Sequence, residues 1–183
     1  MTRAELEHAI RAVADLTRTD TIIIVGSQSI LGRYPDAPAV LRRSMEVDVI
    51  AIDALDQVDR IHGVMGELSA FHRIHGFFVD AVGLETARLP DGWRDRLVPV
   101  SNTNTRGNTG LCLDPSDLAA SKLVAFREKD REFVESLLTL GLLTVDELRN
   151  RVQSLELSEP ELVRLLGWIN AMHERNRTNV DEP

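Results

Sequence analysis

The chain has 183 residues, of which 43% are hydrophobic, a formal net charge of −8 at pH 7, and one cysteine. Its length and apolar content predict a sizeable core, in one compact domain or in one domain with a helical appendage, and the single cysteine excludes a disulfide framework and a multi-cysteine zinc site. The acidic balance argues against a protein that coats nucleic acid, and the lack of a long apolar stretch or of a signal sequence predicts a cytoplasmic protein with no membrane partner.

The first predicted elements are a helix, a strand and a turn. Residues 3–18 have the apolar spacing of an amphipathic helix, and residues 21–25 form a buried strand. Gly26 and Ser27 make the turn, and a short helix over 27–34 ends before Pro35. Such a turn between strand and helix offers backbone N–H groups and a hydroxyl to a phosphate. Arg33, further along this helix, either meets a phosphate or solvates the helix end.

Segment 44–52 is the next predicted strand, and in it two acids alternate with apolar residues. Because alternate side chains share one face of a strand, Glu46 and Asp48 should point the same way. The opposite face, formed by Met45, Val47 and Val49, should enter the core. Two neighbouring carboxylates repel each other and lose solvation when partly buried, so we expect a compensating cation, most simply Mg²⁺.

Residues 53–69 have helical periodicity, and residues 76–83 form another strand in which Asp80 is the one charged residue. The order of strand, Gly-Ser turn, helix, strand and acid-x-acid pair resembles the nucleotidyltransferase superfamily of the polymerase-beta type. In that superfamily the Gly-Ser turn holds the nucleoside triphosphate, the acid pair holds metals, and a third carboxylate comes from a neighbouring strand. The resemblance implies that Asp80 is this third carboxylate, and the alternative is an exposed acid at a sheet edge.

A short strand is predicted at 97–100, followed by the polar, turn-rich segment 101–110. We interpret this segment as a mobile loop or a wide hairpin tip, which could serve as a flap over a substrate or only as a linker. Cys112 lies in a Leu-Cys-Leu run and is interpreted as a small buried core residue rather than a nucleophile.

From residue 114 onwards the chain has helix caps and helical periodicity almost throughout. Asp114 opens a first helix, Thr144 and Glu147 form the capping box of another, and a last helix opens at Ser158, before a polar, frayed tail over 176–183. The predicted fold class is therefore α/β (α+β). A small mixed-sheet core over 1–113, of the polymerase-beta nucleotidyltransferase type that the resemblance implies, precedes a helical region over 114–183 that packs on the core.

A second motif lies in the first of these late helices, over 117–134, and reads K-L-x-A-x-R-x-K-D-x-x-F from Lys122. Lys122 and Lys129 would share one face of this helix, although a charged segment by itself is most often a solvated face. Together with the Gly-Ser turn and the acid pair, the motif resembles the AbiEii-type nucleotidyltransferase toxins of type IV toxin–antitoxin systems. The resemblance covers about 21–134 and includes the mycobacterial toxins that add nucleotides to the 3′ acceptor end of tRNA.

The resemblance implies an enzyme that transfers a nucleotide from a nucleoside triphosphate, CTP or another pyrimidine nucleotide, to an RNA 3′-hydroxyl. It also implies Mg²⁺ or Mn²⁺ as cofactor, tRNA as acceptor, a toxin that blocks translation and a cognate antitoxin as partner. Asp130 would act as an auxiliary acid or base, and its alternative is an acid paired with Arg127 or Arg131. The implied catalytic residues are Glu46, Asp48, Asp80, Lys122 and Asp130, the first three also hold the metals, and the nucleotide-binding residues are Gly26, Ser27, Arg33, Lys122 and Arg127.

Two other functions use the same residues. A small-molecule nucleotidyltransferase, such as an antibiotic-modifying enzyme, would have the same acids, and the net acidity suits a cationic substrate. A catalytically silent nucleotidyltransferase-like module would bind a partner, and Glu46, which stands where the family usually has Asp, would then be a sign of decay. His62, His72 and His75 suggest a metal site, but solvated or capping histidines are commoner than ligands, and we do not predict them as site residues.

Overall fold

A computed structural model describes the backbone of residues 1–178 and the side chains of these residues except 53–55 and 176–178. The chain forms two compact units, one of Met1–Ala87 with Arg94–Asp114 and one of Arg88–Trp93 with Pro115–Pro183. The first unit contains a mixed β-sheet with helices and the second is helical, so the predicted α+β fold class is confirmed. In the part of the chain that the structure describes, no helix is long and apolar enough to cross a membrane.

The sheet of the first unit has five strands: β1 (Thr21–Val25), β2 (Glu46–Ile50), β3 (Phe78–Ala81), β4 (Val98–Val100) and β5 (Thr109–Cys112). Their spatial order is β3-β2-β1-β5-β4. Strand β1 lies between an antiparallel neighbour, β2, and a parallel neighbour, β5. Strands β2 and β3 pair in parallel, and β4 pairs with β5 in antiparallel fashion.

Four α-helices accompany this sheet, and the core lies between the sheet and the longest of them. The helices are α1 (Arg3–Thr17), α2 (Ile30–Arg33), α3 (Val58–Met65) and α4 (Ala70–His75). Leu6, Ile10 and Val13 recur at helical spacing on α1 and are fully buried, as is Val47 on β2. A Cβ added to Gly110 on β5 would lie 2.4 Å from Ile10, so the missing side chain allows α1 to approach the sheet closely.

Two predicted elements are shorter in the structure than in the sequence prediction, and Met45, which was predicted to enter the core, lies outside it. Segment 44–52 forms a strand only at Glu46–Ile50, and Met45, which precedes the strand and is therefore outside its alternation, is 55% exposed. Segment 53–69 is not one helix: a 3₁₀ turn, Ile52–Gln57, leads into α3, which ends before Gly66. Leu68 lies beyond that end with a φ of 63° and is 76% exposed. Leu55 lies outside the described side chains.

The polar segment after β4 is a hairpin tip that α1 holds in place. Strands β4 and β5 pair on either side of it, so the hairpin interpretation is confirmed. Asn102 and Asn104 each donate a 2.8 Å side-chain hydrogen bond to the buried carboxylate of Glu7. Thr109 at the end of the segment pairs with Thr21 at the start of β1. The segment therefore lies at the end of β1 opposite to Val25 and the Gly-Ser turn, and its use as a flap over a substrate stays a prediction.

The second unit consists of helices within the described residues. They are α5 (Pro115–Ala125), α6 (Glu128–Thr139), α7 (Val145–Gln153) and α8 (Glu159–Thr178). The predicted capping box is confirmed, because Thr144 and Glu147 exchange side-chain and backbone hydrogen bonds at the start of α7. The predicted tail begins too early: helix α8 continues to Thr178, and the remainder, 179–183, lies outside the described residues.

The second motif does not form one helix. Helix α5 ends at Ala125, Phe126 has a left-handed φ of 53°, and α6 begins after Arg127. Lys122 therefore lies on α5 and Lys129 on α6, and the prediction that they share a helix face is wrong. The helical periodicity continues through the break, which is why the sequence pattern conceals it.

Candidate active site

Three carboxylates meet on one face of the sheet in the first unit. The parallel pairing of β2 and β3 sets Asp48 directly beside Asp80, and Glu46 lies on the same face as Asp48. One ligand oxygen from each of the three residues lies within 4.8 Å of the others. All three side chains are half-buried, while Val47 and Val79 between them are fully buried in the core below. The structure thus brings the three predicted carboxylates together.

The Gly-Ser turn adjoins this cluster because β1 pairs with β2 in the required register. Val25, the last residue of β1, lies opposite Asp48, so Gly26 follows directly at the cluster. Gly26 has φ 66° and ψ −171°, a conformation that essentially only glycine adopts. A Cβ at this position would lie 1.8 Å from Asp48 Oδ2. The turn and the acid therefore depend on each other: a side chain on residue 26 would occupy the space of the Asp48 carboxylate.

Hydrogen bonds fix the turn after Gly26. Ser29 Oγ donates to the carbonyl oxygen of Gly26 at 2.9 Å, and the buried Gln28 Nε2 donates to the carbonyl oxygen of Ser44 at 2.9 Å. Ser44 lies just before β2, and its Oγ accepts a 3.1 Å hydrogen bond from the Glu46 amide. The turn is thus connected to the strand that carries the first two acids.

His62 is a residue of this site that the sequence reasoning missed. Its Nε2 lies 2.8 Å from Asp80 Oδ1 and 3.1 Å from the backbone nitrogen of Ala81. Helix α3 packs against β3 and thereby brings the ring to the third acid. His72 has the capping contact that its position suggested, since its Nδ1 accepts from the Leu68 amide at 3.1 Å. Only the three-dimensional packing of α3 distinguishes the two histidines.

Arg33 ends α2 and forms an ion pair with Asp114, with 3.2 Å between Nη2 and Oδ2. This contact differs from both of the uses that the sequence suggested, a phosphate or a solvated helix end. The Arg33 side chain is 55% exposed, so its guanidinium is accessible to solvent. Its role in nucleotide binding stays a prediction.

Lys122, Arg127 and Asp130 form a cluster of their own in the second unit. The carboxylate of Asp130 is 1% exposed and lies 3.3 Å from Lys122 Nζ and 2.6 Å from Arg127 Nε. Burial raises the pKa of Asp130, but the hydrogen bond from Arg127 and the charge of Lys122 outweigh burial, so that the pKa lies below its ordinary value. A buried, ion-paired carboxylate with a low pKa is a weak base, and these contacts favour the ion-paired alternative. Its partners are Arg127 and Lys122 rather than Arg131.

A protein-family profile described as a nucleotidyltransferase of unknown function (DUF6036) matches residues 4–165, which include the three acids and the Lys122 motif. The chain belongs to this family. Comparison of this DUF6036 nucleotidyltransferase with curated proteins and with solved structures gave no match. The superfamily inferred from the Gly-Ser turn and the acid pair is thereby confirmed at the level of a nucleotidyltransferase.

The donor set of the DUF6036 protein fits a hard divalent cation. Mg²⁺ prefers oxygen ligands and binds through one or two carboxylates together with substrate phosphates, and Mn²⁺ accepts the same ligands. Glu46, Asp48 and Asp80 offer three carboxylate groups close together on a partly exposed surface, where a substrate phosphate can complete the coordination. The Gly26–Ser27 turn adjoins these carboxylates, because Val25 pairs with Asp48 and residue 26 has no side chain to displace the Asp48 carboxylate.

Proposed function

We propose that this DUF6036 protein transfers a nucleoside monophosphate from a nucleoside triphosphate to a hydroxyl group, with Glu46, Asp48 and Asp80 as the metal-binding residues. The observation that carries the proposal is the convergence of the three carboxylate oxygens within 4.8 Å, directly beside the Gly-Ser turn. A mutually repelling set of half-buried acids next to a Gly-Ser turn suits a metal–triphosphate complex. The family assignment supports the same reaction class.

In this reaction the acceptor oxygen attacks the α-phosphorus and forms a new P–O bond. The bond from the α-phosphorus to the bridging oxygen breaks, pyrophosphate leaves, and the acceptor proton passes to solvent or to a nearby base. Mg²⁺ or Mn²⁺, when bound, lowers the pKa of the attacking hydroxyl and neutralises charge on the leaving oxygens. Asp48 and Asp80 hold the reacting groups at the sheet, and the turn at Gly26 and Ser27 receives the triphosphate.

Two basic residues complete the proposal. On the resemblance to the AbiEii-type toxins, we propose Lys122 as a phosphate-binding residue and Arg127 as a second cation for the nucleotide. Within the second unit, Asp130 holds Lys122 through the 3.3 Å ion pair and also pairs with the more exposed Arg127. The Lys122 motif that these residues form is also the one that carries the resemblance to the AbiEii-type toxins. On that resemblance we propose an RNA 3′-hydroxyl, at the tRNA acceptor end, as the acceptor, CTP or another pyrimidine nucleotide as the donor, and inhibition of translation as the biological effect.

The test incubates the purified protein with total tRNA, Mg²⁺ and each α-³²P-labelled nucleoside triphosphate in turn. The panel contains the wild type, Asp48→Asn, Lys122→Met, and the control Asp59→Asn, which removes an exposed acid from α3. We expect the wild type and the control to label tRNA with one preferred pyrimidine nucleotide. Asp48→Asn should lower the rate by at least about a hundredfold, because it removes a charged ligand of the proposed metal, whose charge stabilises the reacting phosphate.

Other outcomes identify the rival functions. If label appears in a small cationic acceptor but not in tRNA, the protein is a nucleotidyltransferase that acts on a small molecule and not on RNA. Triphosphate binding without label in any acceptor would indicate the silent binding module. Equal labelling by the wild type and Asp48→Asn would contradict the assignment of the three acids as the active site.

A further inference from the structure

The imidazole of His62 lies where it can control the third carboxylate. Its Nε2 is 2.8 Å from Asp80 Oδ1, and the side chain of His62 is 42% exposed, so it extends from α3 beside the acid cluster rather than into the core. Ala81, whose amide nitrogen lies 3.1 Å from the same Nε2, follows Asp80 on β3. The His62 ring is thus held beside β3 by contacts to both Asp80 and Ala81.

The distances restrict what Nε2 can do. One ring nitrogen has a single in-plane site, which carries either a proton or a lone pair. With a lone pair, Nε2 accepts from the Ala81 amide but faces the ionised Asp80 oxygen as a second acceptor, and two acceptors 2.8 Å apart repel each other. With a proton, Nε2 donates to Asp80 Oδ1 and gives up the hydrogen bond from the Ala81 amide. Because a hydrogen bond to an ionised carboxylate is roughly twice as strong as one between neutral groups, an ionised Asp80 selects the form of His62 in which Nε2 carries the proton.

We infer that His62 is a positioning residue for Asp80: its Nε2–H donates to Oδ1 and fixes the rotation of the carboxylate toward Glu46 and Asp48. In this form His62 has no lone pair at Nε2 and is not itself a metal ligand. Hydrogen-bonded partners of ligating carboxylates orient those ligands and commonly account for about 10–100-fold in metal affinity. The inference rests on the proposed function, because it assumes that the three carboxylates bind a cation.

The test measures cation binding by the full chain without substrate. Mn²⁺ is titrated into each protein, and the free ion is quantified by electron paramagnetic resonance. The variants are Asp48→Asn, His62→Leu and His62→Ala, which lack the donor, and His62→Gln, whose amide N–H can replace it. His173→Leu, which removes an exposed histidine from the second unit, is the matched control. Thermal unfolding of every variant reports whether the fold is intact.

We expect both donor-free variants at residue 62 to weaken Mn²⁺ binding by about 10–100-fold. His62→Gln should recover most of the affinity, and His173→Leu should bind as the wild type does. This recovery separates a hydrogen-bond donor from a residue that only fills space, because Gln differs from His in shape.

Three results would overturn the inference, and each points to a different conclusion about the site. Unchanged Mn²⁺ affinity in folded His62→Leu and His62→Ala removes the positioning role and leaves the carboxylate site intact. A ¹⁴N coupling to bound Mn²⁺ that is present in the wild type and lost in His62→Leu makes His62 a direct ligand. A wild type that binds no Mn²⁺, or an Asp48→Asn variant that binds it equally well, removes the proposed metal site and this inference with it.

Discussion

The Oδ2 atom of Asp48 occupies the position where a side chain on Gly26 would begin, since a Cβ there would lie 1.8 Å away. Gly26 follows the last residue of β1 and begins the Gly-Ser turn, and Asp48 contributes a carboxylate to the cluster. Their contact means that the two halves of the nucleotidyltransferase signature are packed against each other. The geometry of the turn and the position of the acid cannot change independently.

We predict that Gly26→Ala destabilises the protein by about 1–3 kcal/mol through its backbone conformation alone. Displacement of the Asp48 carboxylate should lower the transferase rate by about a hundredfold, which is the usual effect of a misplaced catalytic group. The control is Gly63→Ala on α3, where an added Cβ meets nothing within 4 Å. That change should stabilise the helix by about 0.5–1 kcal/mol. Chemical denaturation measures the stability of both variants, and the labelling assay measures their transferase rates. A Gly26→Ala variant as active as the wild type would contradict the proposed packing of residue 26 against Asp48.

The sequence predicted four of the five strands, all but β5, and the shared face of Glu46 and Asp48, because these follow from local patterns. The alternation of Glu46 and Asp48 with Val47 and Val49 determines which face is polar, and the structure agrees with it. The pairing of the strands could not be predicted from these local patterns. That Asp48 lies beside Asp80 depends on the parallel register of β2 and β3, which the resemblance supplied and the periodicity did not.

Two features that the sequence did not reveal have a common physical cause, which is tertiary contact. His62 and His72 are both polar residues on helices, and only the packing of α3 against β3 brings His62 to Asp80. The polar segment after β4 has the composition of a mobile loop, yet the buried Glu7 on a distant helix accepts its hydrogen bonds. Single-sequence patterns do not contain these long-range partners.

Cys112 provides a test of core burial. Burial raises the pKa of its thiol to about 12 from an ordinary 9.0, despite the opposing charge of Arg3. Because only the thiolate reacts, the native protein at mildly alkaline pH should have about a thousandfold less reactive thiol than an exposed cysteine, before any steric protection. Ellman's reagent should react at the ordinary rate only after denaturation. Val163→Cys, at an exposed position on α8, is the reactive control. Rapid reaction of native Cys112 would contradict its burial.

Glu7 should determine whether the segment after β4 is ordered. Hydrogen bonds from Asn102, Asn104 and Arg3 lower the pKa of Glu7 and outweigh its burial, which by itself raises the pKa. Glu7→Ala removes the acceptor of both asparagines and should destabilise the protein by about 1–3 kcal/mol. It should also release the segment, so that trypsin cleaves faster after Arg106, which is already exposed in the wild type.

The control for this prediction is Asp15→Ala. Asp15 lies on α1, as Glu7 does, and forms an exposed ion pair with Arg106, with 3.2 Å between Oδ2 and Nη1. An exposed pair contributes at most about 1 kcal/mol, so cleavage after Arg106 should change little. Denaturation midpoints and the cleavage rate are measured for both variants. Equal protection from trypsin in Glu7→Ala and the wild type would mean that the segment does not need Glu7.

Asp130 gives a prediction for pH dependence in the second unit. Its pKa in the folded protein is below the ordinary 3.8 because Arg127 and Lys122 outweigh the effect of burial. A carboxyl whose pKa falls on folding stabilises the fold when ionised, so its contribution is complete above pH 3.8 and is lost as the pH falls through the lower folded value. Asp130→Asn should therefore cost about 3 kcal/mol of unfolding free energy at neutral pH, since Lys122 loses its buried partner.

The matched control is Asp146→Asn, because Asp146 also pairs with an arginine three residues away, Arg149, at 2.6 Å, but is 85% exposed. An exposed pair of this kind contributes about 0–1 kcal/mol, so its loss should be small at every pH. Urea denaturation at neutral pH and at about pH 3 compares both variants with the wild type. The deficit of Asp130→Asn should shrink in acid, as protonation removes the same charge from the wild type. A deficit that is constant with pH would mean that Asp130 stabilises the second unit through its shape and hydrogen bonds and not through its charge.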